Sequence, residues 1–89
     1  MGFGDELMDD EITRFVRASV ADELGLVPED IGPDLDFEEL GMTSLNAVLI
    51  SGVIEERFAI EVDPSLLFEN RTLARASAAL TTLIESDRG

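Results

Sequence analysis

No cysteine and no histidine occur in these 89 residues. The first absence removes disulfides, thiolate catalysis and thiolate-ligated metals. The second removes the commonest general base and metal ligand, so neither a Ser-His nor a Cys-His nucleophile can be assembled from this chain. Lysine is missing too, and the six basic residues are all arginine, set against 20 aspartates and glutamates. No run approaches the roughly 20 apolar residues that a bilayer span requires. The opening MGFGDELMDDEI is acidic, unlike the basic start of a secretory signal, and the expected compartment is the cytoplasm. Hydrolytic catalysis by this chain alone is therefore not expected. Carboxylates scattered over so small a surface read as solvating charge and not as a tuned acid and base.

What is present is a chain that can fold. Hydrophobic residues make up 45% of it, so a net charge of −14 does not make it a disordered acidic tail. Its length suits one small domain, residues 1–89, near the size at which a single core just suffices. An anionic surface repels nucleic acid and anionic membranes and attracts basic protein patches, so proteins are the expected partners. The charge is uneven: residues 1–43 carry −11 and residues 44–89 only −3.

The expected class is all-α, a small four-helix bundle with a long first loop and a short third helix. Met8, Ile12, Phe15, Val16, Val20 and Leu24 recur at helical spacing over about 5–24, and Gly25 supplies the stop. The loop that follows holds Pro28, Gly32, Pro33 and six acids without a base, and Ile31, Leu35, Phe37 and Leu40 are candidates to pin it to the core. A second helix is predicted over 44–58. Asp63 and Pro64 suit the cap and first position of a short helix over 64–68. Thr72 caps the last, over about 72–86, whose stripe is Leu73, Ala76, Leu80, Leu83 and Ile84.

The second helix is apolar almost all round. At 100° per residue Ala47, Ile50, Val53, Ile54 and Phe58 share one broad side, while Leu45, Val48 and Leu49 fall on the other with Gly52, Glu55 and Glu56. Four short helices cannot bury both sides of one of their number. Either the long loop folds over Leu45 and Leu49, or an apolar patch stays exposed for an interaction. At the mouth of this helix stands LGMTSLNAV. A hydroxyl there reads first as an N-cap, without a capping box, because Asn46 and Ala47 stand where Glu or Gln is wanted. The same hydroxyl is accessible, and neighbouring N–H groups suit an attached phosphate. A calcium loop is excluded: in the acidic stretch from Asp30 or Asp34, Leu35 or Glu39 occupies the required glycine, and Gly41 or Leu45 the final acid. No metal site is expected.

The stretch DLDFEELGMTSLNAVLISGVIEERFAIEV resembles the central signature of acyl carrier proteins and the related peptidyl carrier domains, through Phe37, Leu40, Gly41, Ser44, Leu45, Glu55, Glu56, Phe58, Ile60 and Val62. The family's architecture is the one outlined above. By resemblance, Ser44 is the attachment point of a 4'-phosphopantetheine arm, transferred from coenzyme A by a separate phosphopantetheinyl transferase, and the chain is a non-catalytic carrier that holds acyl groups as thioesters. The implied partners are that transferase, an acyl-loading enzyme, and a ketosynthase or other enzymes with basic docking patches. The carrier itself is expected to be a monomer. Docking would involve Glu38, Glu39, Met42, Thr43, Leu45, Val48, Leu49, Gly52, Glu55 and Glu56. Ile54, Leu67 and Phe68 are candidates to shelter an acyl chain, unless they are simply packed core.

Three positions depart from the family's pattern. Thr43 stands where the family most often has Asp before the serine, which implies that Thr43→Asp speeds modification by a generic transferase. Asn46 and Leu49 stand where fatty-acid carriers are often acidic. This greasier face tilts the reading toward a discrete carrier in polyketide or related specialised metabolism, with a fatty-acid carrier or an aminoacyl or peptidyl carrier as alternatives. An unmodified acidic protein–protein adaptor is the competing class.

Overall fold

A computed structural model describes residues 3–88, with side chains described from 11 to 87. Four helices appear in order: α1 (Phe3–Leu24), α2 (Ser44–Phe58), α3 (Ser65–Glu69) and α4 (Leu73–Arg88). A single 3-10 turn at Pro28–Asp30 breaks the long first loop, and no strand occurs among the described residues. The core joins Val16 and Val20 of α1, Ala47, Ile50 and Ile54 of α2, Leu67 of α3, and Leu73, Ala76 and Leu80 of α4. Of the apolar stripe expected on α1, Met8 lies outside the described side chains.

Each helix end has a local cause. After α1, Gly25 takes φ +71°, a conformation that lets Leu26 N–H reach back to Ala21 O at 2.8 Å. After α2 the same reversal is made by Ala59, at φ 56° and ψ 46°, with Ile60 N–H on Glu55 O at 3.3 Å. Alanine is disfavoured in that region, where glycine is not. Ala59→Gly is therefore expected to stabilise the fold by about 0.5–1 kcal/mol, read as a higher urea midpoint at unchanged slope. A lower midpoint would show that the turn is not strained. Asp63 accepts from Ser65 N–H at 2.9 Å, so α3 begins one residue later than expected, with Pro64 in front of it. Thr72 accepts from Arg75 N–H at 3.2 Å and caps α4.

The loop is held down at few points. Ile31 and Phe37 are fully buried, as anchors should be, and Leu40 is half-buried. Leu35 is not an anchor: it is 45% exposed and leans against Gly32 instead of the core. Phe37 N–H donates to Arg71 O at 2.7 Å, and Ala74 N–H to Pro33 O at 3.0 Å, tying the loop to the α3–α4 junction. The Arg71 guanidinium adds a two-nitrogen grip on Asp36 and holds that carboxyl below its usual range. Because the folded-state value is depressed, this contribution is present at neutral pH and is lost as the pH falls through the carboxylate range.

Candidate functional site

The turn before α2 is built from its own backbone. Asp36 accepts from Glu38 N–H at 2.8 Å, Met42 N–H donates to Phe37 O at 3.0 Å, and Gly41 sits at φ +100° with open space around it. That positive φ is where a glycine is required. The turn delivers the chain to Thr43, extended at φ −103° and ψ 174°, from which α2 starts.

Thr43, and not Ser44, is the cap. Its Oγ1 accepts from Asn46 N–H at 3.3 Å, while Asn46 Oδ1 accepts from Thr43 N–H at 2.8 Å. This is a capping box, contrary to the sequence expectation, with asparagine in the place usually taken by Glu or Gln. Asn46 is further held by Glu23 of α1, whose Oε1 accepts from Nδ2 at 3.3 Å. Ser44 is left as the first helical residue. It is exposed, and its hydroxyl takes part in no hydrogen bond among the described residues. Beside it lie first-turn N–H groups of a 15-residue helix, a setting that accommodates an attached phosphate.

One side of α2 continues outward from this hydroxyl as an apolar stripe: Leu45 is 66% exposed, Val48 51%, Leu49 45% and Val53 46%. The long loop does not fold over them. Val53, placed on the buried side by the helical wheel, belongs to this stripe, four residues on from Leu49 and eight from Leu45. Gly52 stands among them with nothing within 4 Å of where a Cβ would lie, so internal packing does not require it. Glu38 and Glu39 in the preceding turn and Glu56 on α2 are exposed.

Other candidates sit elsewhere. Met42 is buried in the core, because the turn that exposes Ser44 points its neighbour inward. Glu55 is half-buried and its carboxylate accepts from Val62 N–H at 2.8 Å, closing the turn after α2. Ile54 and Leu67 are fully buried in the core, and Phe68 points outward, 44% exposed, so the three do not converge on a cavity. Among the described residues a cleft of about 970 Å³ between α3 and α4 is lined by Ile60, Glu61, Val62, Asp63, Leu66 and Leu83 with others, and by none of these three. Among the described residues no cluster of three or more acids is placed to hold a metal ion. Sequence reasoning missed Val53, Asn46 and Glu23. The spacing from Leu49 was the signal for Val53, and the reciprocal Thr-x-x-Asn pattern was the signal for Asn46.

The family model described as a phosphopantetheine attachment site matches residues 14–80. The chain belongs to that family. It is thus a carrier domain whose cofactor is covalent 4'-phosphopantetheine. Its relatives include the conidial yellow pigment biosynthesis polyketide synthase of Emericella nidulans, 35% identical over 73% of this chain. The spectinabilin polyketide synthase system protein NorA' of Streptomyces orinoci is 34% identical over 89% of this chain. The chain spans only 3% and 2% of those two proteins. Two solved carriers share the fold. One is BlmI, a type-II acyl carrier protein from Streptomyces verticillus involved in bleomycin biosynthesis, with TM-score 0.82 and 29% identity over 92% of this chain and 96% of that one. The other is a free-standing peptidyl carrier protein from an uncharacterized secondary metabolic pathway of Acinetobacter baumannii, with TM-score 0.79 and 30% identity over 83% and 92%. No described helix of this carrier is long and apolar enough to cross a membrane.

Proposed function

We propose that residues 1–89 act as one non-catalytic carrier domain in the cytoplasm, that Ser44 bears the phosphopantetheine arm, and that the cargo is an acyl group of polyketide type. One observation carries the assignment to Ser44. Of two adjacent exposed hydroxyls, Thr43 is engaged as a cap and Ser44 is free. In the attachment, the Ser44 oxygen forms a new bond to phosphorus, its proton leaves, and the adenosine bisphosphate half of coenzyme A departs. When bound, the arm supplies a thiol that can hold an acyl group as a thioester, so the absence of cysteine and histidine from the chain is no obstacle. The tether raises the cargo's effective concentration at a partner's active site. Two polyketide synthase relatives, each similar over most of the chain, support polyketide cargo. Likeness to a peptidyl carrier keeps an aminoacyl cargo as the second reading.

The test is the intact mass after incubation with coenzyme A and a permissive transferase. One added phosphopantetheinyl group is expected, and the product should then accept a malonyl group from an acyltransferase more readily than an aminoacyl group from an adenylating enzyme. No gain with several transferases would favour the unmodified adaptor and refute the assignment; preferential aminoacyl loading would refute the cargo.

Docking should use the α2 stripe, with surrounding acids steering toward basic partner patches in a salt-dependent way. Leu49→Glu places a charge at its centre, 45% exposed, where the fold loses little. Its kcat/KM for transferase is expected to fall about tenfold or more, with little change in melting temperature. An unchanged kcat/KM would remove the stripe from the docking surface.

A further inference from the structure

The capping box before Ser44 works in only one polarity. Thr43 N–H donates to Asn46 Oδ1 at 2.8 Å, which fixes that amide with its oxygen toward residue 43 and its NH2 toward Glu23 Oε1 at 3.3 Å. The Thr43 hydroxyl then does two things at once: it donates to the same Oδ1 at 2.8 Å and accepts from Asn46 N–H at 3.3 Å. A carboxylate at position 43 accepts but cannot donate. It would cap Asn46 N–H while facing Oδ1, oxygen against oxygen at hydrogen-bond distance. Turning the amide over brings no relief, because its NH2 would then oppose Thr43 N–H and its oxygen would oppose the Glu23 carboxylate.

We propose that Thr43, Asn46 and Glu23 are positioning residues that form one polarity-matched set across α1 and α2, holding the first turn of α2 so that Ser44 is presented to the transferase. The set replaces the carboxylate that the family most often carries before its serine, and it makes that carboxylate harmful here. The expectation that Thr43→Asp speeds modification is thereby reversed for any chain that keeps Asn46. Asn46→Ala removes the opposing oxygen, so an aspartate at 43 becomes an ordinary cap beside it. The inference rests on the assignment of the arm to Ser44.

The experiment measures kcat and KM for phosphopantetheine transfer from coenzyme A to the full chain by one purified transferase, with a helical melt on every variant. Thr43→Asp and Thr43→Val are each expected to lower kcat about tenfold, as an opposed pair or a lost cap that leaves the first turn of α2 unfixed would, with KM for the carrier within about twofold because the docking stripe is untouched. Thr43→Ser keeps both the donor and the acceptor and should recover most of the rate. In the Asn46→Ala background, Thr43→Asp should cost nothing further, a coupling that separates positioning from a general loss of stability. Equal or faster transfer by Thr43→Asp alone, or independent multiplication of the two effects, overturns the inference while leaving the carrier assignment standing. Failure of the wild-type chain to gain mass overturns both.

Discussion

Ser44→Ala is expected to abolish the mass gain completely while leaving stability within about 0.5 kcal/mol of the wild type, as a substitution away from any packing or capping role should. Both halves follow from the geometry. The hydroxyl takes part in no hydrogen bond among the described residues, so nothing in the fold depends on it. The cap belongs to Thr43, and alanine is a better helix former than serine at an exposed position. A large loss of stability would show that the serine is structural. Residual mass gain would show that another hydroxyl accepts the arm.

The second large effect lies away from the serine. Phe37 is 1% exposed, and its backbone holds three bonds of the pre-helix turn: its N–H to Arg71 O at 2.7 Å, and its oxygen to Leu40 N–H at 3.1 Å and Met42 N–H at 3.0 Å. Phe37→Ala empties a ring's volume at the point where the loop is pinned to the core. The expected cost is about 3–5 kcal/mol, a large part of the roughly 5–15 kcal/mol that holds a small domain folded. For a domain this small it corresponds to a melting temperature lower by about 15–30 °C, followed through the helical circular dichroism signal. A cost below about 1 kcal/mol would mean that Ile31 and the Asp36–Arg71 pair hold the loop unaided. Arg17 Nε, donating to Ile31 O at 3.2 Å, already supports the loop from α1.

Helix extents were legible because they rest on local signals. Gly25, Thr72 and the Asp63–Pro64 pair stop or start helices within one residue or so of where chain chemistry puts them. Burial was legible in part. The wheel separated Leu45, Val48 and Leu49 from Ala47, Ile50 and Ile54 correctly, but it placed Val53 inside. A wheel supplies angles and not neighbours, and the helices packed on α2 cover a narrower arc than the apolar residues fill. Leu35 and Phe68 failed for the same reason, since an apolar residue in a loop or on a five-residue helix has no period to say which way it faces. Glu55 could not have been read from the sequence. Its partner, Val62 N–H, comes within reach only because a left-handed reversal at a non-glycine residue, Ala59, folds the chain back. Met42 is a third kind of case: its neighbours in sequence are exposed, and only the backbone bond to Phe37 O turns it inward.

The site was legible as a residue and less so as an arrangement. Ser44 was singled out by the resemblance of its surroundings to the family signature, because its place at the mouth of an apolar helix read first as a cap. That Thr43 would take the capping role and so leave Ser44 unengaged depends on Asn46 supplying an acceptor that the usual Glu-or-Gln rule does not look for. Glu23 enters only through the packing of α1 on α2, 23 residues away in sequence.

The most direct measurement is the fragmentation mass spectrum of the chain after reaction with coenzyme A and transferase, which reports the residue that bears the added group. Two hydroxyls stand side by side, one engaged and one free. The added mass is expected on Ser44 alone, in a single copy. Mass on Thr43, or spread over several serines and threonines, would contradict the account.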